Sequence, residues 1–199
     1  MTKITRIVLA ILVLNNTIAF AQEEDYIQGP ALGIHFILND FKTASNIRTS
    51  TLSSTLANKR YGKIKDMSPG LAISFSQGLS NRFDVSTTIA GSFLDYPRPD
   101  APSSGSDKFL IEADASIRGK MFTNKYWVTP FLQAGVGVSK FEGYYGAFMP
   151  LGVGLQVNFF DQAFLLINSQ YRVPVTQSTN YHFYGSIGLV GTMGNKQEK

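Results

Sequence analysis

Glu112, Asp114, Ser116, Arg118 and Lys120 recur at every second position of one short run, alternating with Ala113, Ala115, Ile117 and other apolar or small residues. Two acids and two bases on one face would transfer protons, conduct ions or neutralise one another, depending on what encloses them. Asp84, Gln170 and Arg172 lie in runs of the same alternating kind. The two histidines are His35 and His182, and His182 stands between Ser178 and Ser186. A histidine beside a serine hydroxyl is the beginning of a hydrolase, but it lacks an orienting acid at any recognisable spacing. A metal would need further ligands converging on the two histidines. The chain has no cysteine, which excludes a disulfide framework, a thiolate metal site, a Cys nucleophile and a bacterial lipid anchor. The expectation is no enzyme, no catalytic residue, no metal and no cofactor, with both histidines hydrogen-bonded in an interior.

The elements that would position these residues are strands. Over residues 148 to 175, Met149, Leu151, Val153, Leu155, Val157 and Phe159 share one face, and Pro150, Gly152, Gly154, Gln156 and Asn158 share the other. After the FDQA link, Leu165, Ile167, Tyr171 and Val173 oppose Asn168, Gln170 and Arg172. A period of two is the signature of a strand, and two such runs around a polar link make a hairpin. The polar face holds Gly, Gln and Asn without charge, which suits a crowded lumen better than a solvated exterior. The apolar face is therefore read as facing lipid.

Composition agrees. Charged residues are 16% and aromatics 13% of the chain, against roughly 25% charged in ordinary soluble domains. A mean hydropathy of -0.01 is too low for a helical membrane bundle and fits a barrel of half-apolar strands.

Eight strands are predicted. The first, about 31 to 38, turns Leu32, Ile34, Phe36 and Leu38 outward and Gly33 and His35 inward. The second, about 70 to 77, turns Leu71, Ile73 and Phe75 outward; the third, 83 to 93, sets Asp84, Ser86, Thr88 and Ser92 against Phe83, Val85, Ile89 and Phe93. The fourth, 108 to 122, fixes its register most strongly, because inverting it would carry Glu112, Asp114, Arg118 and Lys120 into lipid at about 2 to 4 kcal/mol per midplane base. The fifth, 127 to 141, directs Val128, Leu132, Ala134, Val136 and Val138 outward, the hairpin supplies the sixth and seventh, and the eighth, 181 to 193, opposes Phe183, Ile187 and Leu189 to His182, Tyr184 and Ser186. The links QGLSNR, TNKY and FDQA are short, those at 39 to 69 and 94 to 107 are long, and EGYYGA and TQSTN are intermediate or short. This alternation predicts periplasmic turns and extracellular loops, an even strand count and a closed sheet.

Residues 1 to 21 carry Lys3 and Arg6, an apolar run from Ile7 to Leu14, and Ala19 and Ala21 spaced as a cleavage signal. They are read as a secretory signal peptide cut after Ala21, too short to span a membrane. The barrel domain then occupies 22 to 193 and a polar periplasmic tail 194 to 199. Removing Lys3 and Arg6 leaves 18 − 2 = 16 bases against 14 acids, a charge of +2, so nucleic acid is not an expected partner.

NDFKTASNIRTSTL at 39 to 52, MSPGLAISFSQGLSNRFD at 67 to 84, PLGVGLQVNFFDQAFLLINSQYR at 150 to 172 and YHFYGSIGLVG at 181 to 191 resemble the small OmpA-like or OmpX-like outer-membrane β-barrels of Gram-negative bacteria. The resemblance covers 29 to 193 and is to the barrel alone, without a peptidoglycan-binding domain. It implies an all-β, eight-stranded antiparallel up-and-down transmembrane barrel, present as a monomer in the outer membrane. It also implies a structural or surface-interaction role, with outer-membrane lipid, lipopolysaccharide and the outer-membrane assembly machinery as partners.

Within that frame Asp84, Glu112, Asp114, Arg118, Lys120, Gln170 and Arg172 are the expected lumen polar network. A narrow ion path is the alternative to a plug, and the plug is preferred because eight strands leave room only for side chains. A lipid A-modifying enzyme using His182 with Ser178 or Ser186, and a soluble lipocalin-like carrier, are further alternatives. The first long link carries Lys42, Arg48, Lys59, Arg60, Lys63 and Lys65 against Asp40 and Asp66. These are candidate surface-interaction residues for lipopolysaccharide phosphates or a partner, and a solvated mobile loop explains them equally well. DYPRPDAPSSGSDK reads as a flexible loop without chemistry. Tyr96, Tyr126, Trp127, Tyr144, Tyr145, Phe159, Phe160 and Tyr181 lie near strand ends, as interfacial girdles would.

Overall fold

The computed structural model describes residues 27 to 94, 108 to 159 and 163 to 193. The expected signal peptide at 1 to 21, the expected tail at 194 to 199, most of DYPRPDAPSSGSDK with Tyr96, and most of the FDQA link with Phe160 lie outside the described residues.

The alternating runs form eight antiparallel strands: β1 (Ala31–Asp40), β2 (Ser68–Gly78), β3 (Phe83–Leu94), β4 (Lys108–Lys120), β5 (Val128–Phe141), β6 (Tyr144–Phe159), β7 (Ala163–Pro174) and β8 (His182–Thr192). Each pairs with its neighbours in sequence, and β1 closes on β8 from Ala31 opposite Thr192 to Asp40 opposite Phe183. Closure leaves no unpaired edge, the condition for a sheet surrounded by lipid.

Every strand presents a large apolar residue to the outside. Ile34, Ile73, Ile89, Ile117, Val136, Leu151, Ile167 and Leu189, one from each strand, are between 39% and 69% exposed. Side chains in register are neighbours across the sheet, as Ile34 is of Ile73 and Ile73 of Ile89, so the exposed residues join into a belt. No described helix is long and apolar enough to cross a membrane.

The interior is layered. Ala31, Phe131, Phe164, Leu166 and Val190 pack together at the end that carries the termini, and Phe41, Leu94, Leu110 and Phe141 at the opposite rim. The inward aromatic side chains fit because small residues face them: a Cβ on Gly154 would strike the Phe131 ring, one on Gly137 the Phe148 ring, and one on Gly188 the His35 ring. Large against small is how a narrow barrel fills its lumen without strain.

Two connections differ from the sequence expectation. EGYYGA is not a six-residue link: Tyr144 and Tyr145 belong to β6, Phe141 pairs with Tyr144, and Glu142 and Gly143 alone make the turn. Glu142 takes the left-handed backbone at φ 54° that so tight a reversal needs, and its carboxylate pairs with Lys108. The long-link, short-link alternation is therefore broken at this rim. The 39 to 69 link, in turn, is folded. Asp40 ends β1 and caps helix α1 (Phe41–Thr49), its carboxylate accepting from the Thr43 amide at 2.7 Å. The Thr51 hydroxyl accepts from the Ser54 amide at 3.1 Å and caps the short helix α2 (Leu52–Ala57). Both caps satisfy amides that a helix leaves without partners. Helix α1 lies over the rim, burying Phe41, Thr43 and Ala44.

Candidate functional site

The seven residues of the expected polar network all point into the lumen and are buried. They form two groups. Near the α1 rim, the Arg172 guanidinium donates to Glu112 at 2.5 Å, to Asp114 at 3.2 Å and, through Nε, to Gln170 at 3.3 Å. Arg172 is fully buried and lies 3.8 Å from the Tyr184 ring centre and 4.8 Å from that of Phe148. Nearer the termini, Lys120 pairs with Asp84 at 2.9 Å and donates to Asn124 at 3.0 Å. Arg118 stands between the groups, within electrostatic reach of Asp84 and Asp114. Apart from the helix cap Asp40, the buried charges among the described residues are three acids and three bases, so the lumen carries no excess of either sign.

Buried ions are stable only when paired and hydrogen-bonded, and β-sheet register supplies the pairing. Glu112 and Asp114 are two apart on β4 and so share a face, while Arg172 enters from β7 on the far wall and spans both. Between the groups is an internal space of about 20 Å³ lined by His35, Ser74, Arg118, Gln133, Asn168 and Tyr184, among others. It has room for about one water and none for a hydrated ion.

Each histidine makes one hydrogen bond. His35 shares a 2.6 Å hydrogen bond with the Ser74 hydroxyl. His182 places Nδ1 3.0 Å from the Asn180 carbonyl and Nε2 3.4 Å from Glu112, and Phe41 of α1 stacks on its ring at 4.3 Å. The Ser178 hydroxyl donates to the Tyr145 carbonyl at 2.5 Å, and Ser186 lines the internal space. Neither His182 pairing prepares a nucleophile, which would need its hydroxyl hydrogen-bonded to the histidine; the Ser74–His35 pair has that hydrogen bond, but both residues are buried in the lumen and no side chain orients His35 Nδ1. No cluster of metal-ligating residues occurs among the described residues.

Sequence reasoning missed the aromatic half of this interior. Phe131 and Phe148 occupy inward positions by simple alternation with Gln133 and Pro150, but attention to polar residues passed them over. Phe41 was hidden in the link, where the only available signal was the acid at Asp40 placed to cap a following helix.

At the rim, the six basic candidates do not form one surface. Lys42, Arg60, Lys63 and Lys65 line a cleft of about 160 Å³ with Thr43, Asn46, Tyr61 and Asp66. Arg48 instead lies over the Tyr181 ring at 3.6 Å, beside the Tyr171 and Phe183 rings, and Lys59 does not line the cleft. The aromatic strand-end residues divide between the ends, with Tyr126, Trp127 and Phe159 on the terminus side and Tyr144, Tyr145 and Tyr181 on the other.

No family model and no curated protein matches the sequence. Among solved structures, the chain is similar to the outer-membrane protein OprG of Pseudomonas aeruginosa, at 10% identity and a TM-score of 0.57, covering 85% of this chain and 98% of that one. It is also similar to Neisserial surface protein A, at 14% identity and a TM-score of 0.51, covering 84% of this chain and 99% of that one. In strand number, closure and neighbour-to-neighbour order, the chain has the fold of the small eight-stranded outer-membrane barrels, the OmpA-like and OmpX-like architecture.

Proposed function

We propose that this protein is an outer-membrane barrel with a structural or surface-interaction role, its lumen plugged and its basic α1–α2 segment turned outward toward lipopolysaccharide or a partner surface. The observation that carries the reading is the pairing of an exposed apolar belt on all eight strands with a charge-balanced, close-packed interior. Such a belt is costly in water and favourable against acyl chains. The plug argues against conduction: an ion would have to cross the Arg172–Glu112–Asp114 group and a space fit for one water. The burial of both histidines in the lumen, and the lack of an orienting acid at His35 Nδ1, argue against lipid A chemistry. The strand ends that carry the termini would lie in the periplasm, which puts α1 outside the cell. Membrane fractionation followed by an unboiled detergent gel tests the reading. A heat-modifiable band in the outer-membrane fraction is expected, and release with periplasmic contents without a mobility shift would refute it.

A further inference from the structure

We propose that the cleft between α1 and residues 60 to 66 is a binding site for a phosphate monoester group. The inference deepens the surface-interaction reading and rests on it, but it narrows six basic candidates to four and gives them a ligand chemistry.

The cleft is built by specific contacts. The Gly62 amide donates to the Thr43 hydroxyl at 3.0 Å, with Gly62 at φ 61°, a conformation that favours glycine. The Asn46 side chain donates to the Arg60 carbonyl at 2.9 Å. A 3-10 turn over Ile64–Asp66 brings Asp66 to Lys42 at 3.1 Å. These ties hold residues 60 to 66 against a helix that is itself anchored on the barrel through buried Phe41, Thr43 and Ala44. These contacts fix the backbone of residues 60 to 62 and the Lys42–Asp66 pair.

The charge in the cleft is unbalanced. Lys42, Arg60, Lys63 and Lys65 face one acid, Asp66, and Asp66 is already engaged by Lys42. Gathering like charges costs free energy that an anion would recover. Lysine and arginine around a half-enclosed space, with Thr43, Asn46 and Tyr61 also lining it, suit a compact phosphate oxyanion carried on a sugar or glycerol. The space of about 160 Å³ admits the phosphoryl group and part of its carrier. A lipid headgroup and a soluble phosphate ester share this chemistry.

The full chain in phosphatidylcholine nanodiscs would be titrated calorimetrically with glucose 1-phosphate. Saturable binding is expected, weakened at least about tenfold in a Lys63→Gln/Lys65→Gln variant that has lost two charge-assisted contacts, and nearly unchanged in Lys59→Gln. Repeating the titration with phosphatidic acid in the nanodisc separates the sources: competition assigns the site to a membrane headgroup, and an unchanged isotherm to a soluble ester. Absence of saturable binding, or equal loss in Lys59→Gln, would overturn the proposal by reducing the cleft to a diffuse positive field. An unboiled gel on each variant checks the barrel separately. A heat-modifiable protein that takes no phosphate ends this inference alone, whereas failure to shift ends the membrane reading with it.

Discussion

Replacing Arg172 by methionine keeps most of the side-chain volume and removes its charge. Glu112 is left with His182 at 3.4 Å, and Asp114 with the Ser116 hydroxyl at 3.0 Å, so two buried carboxylates lose the base that compensated both. Breaking a buried pair from one side costs about 3 to 5 kcal/mol, and the contact with the Tyr184 ring at 3.8 Å adds up to about 2 kcal/mol when desolvated. The single variant should therefore lose about 3 to 7 kcal/mol, a large part of the roughly 5 to 15 kcal/mol typical of folded domains. The triple variant Arg172→Met/Glu112→Gln/Asp114→Asn removes charge from both sides and should recover most of that loss, ending within about 2 kcal/mol of the parent. Urea titration of the vesicle-folded protein reads both, followed by fluorescence of Trp127, the sole tryptophan, which is 68% exposed just before β5 at the terminus-side end, and by the fraction of heat-modifiable band. A single variant within about 1 kcal/mol of the parent, or a triple variant as unstable as the single, would show that the three charges are not mutually compensating.

The remaining predictions test the wall, the packing and the cap. Ile117→Arg places a base on the outer face of β4 and should cost about 2 to 4 kcal/mol in bilayers, whereas arginine at exposed Ser45 on α1 should change urea stability by less than about 0.5 kcal/mol; equal effects would contradict the lipid-facing assignment. Gly154→Val drives a side chain into the Phe131 ring and the Ile167 carbonyl, for an expected loss of about 1 to 3 kcal/mol that Phe131→Leu should partly restore in the same titration. Asp40→Ala removes the cap of α1 and should lower its local stability by about 1 kcal/mol, seen as faster amide exchange over residues 43 to 49 while exchange in β4 and β5 stays slow. Uniform acceleration would mean that the helix and the barrel unfold together.

The barrel was legible because a two-residue period is unambiguous when its faces differ in kind. On β4 the acids and bases fall at even positions without exception, and turning the strand over is prohibitively costly, so register and orientation follow from sequence alone. The strand ends were less legible. Tyr144 and Tyr145 sit between Gly143 and Gly146, and glycines on both sides mask the start of a strand; Gly146 lies inside β6, where a Cβ would meet Thr179. Helix α1 escaped because its apolar content is slight: Phe41 and Ala44 are buried by the barrel rim, not by a helical partner, and no periodic stripe announces such a contact. The division of the six bases was beyond sequence reading altogether. Arg48 and Lys42 lie on the same short helix, yet one reaches Tyr181 and the other Asp66, a difference set by helical phase against the rim.

The two charged regions of this molecule obey opposite rules, and the difference locates its chemistry. Inside the wall, lumen width is fixed by strand number, water is largely excluded, and an unpaired charge would cost several kcal/mol; three acids therefore balance three bases, Lys120 and Arg172 in direct ion pairs and Arg118 within electrostatic reach of Asp84 and Asp114. Over the rim solvent screens the charges, so four bases can converge on one acid at a cost that is small beside that of an unpaired charge in the lumen. Uncompensated charge is what a partner can recognise, and among the described residues the excess of one sign lies at the rim, where solvent screens it. Changes to the plug should thus alter how firmly the protein is folded, while changes to the rim cleft should alter what it binds.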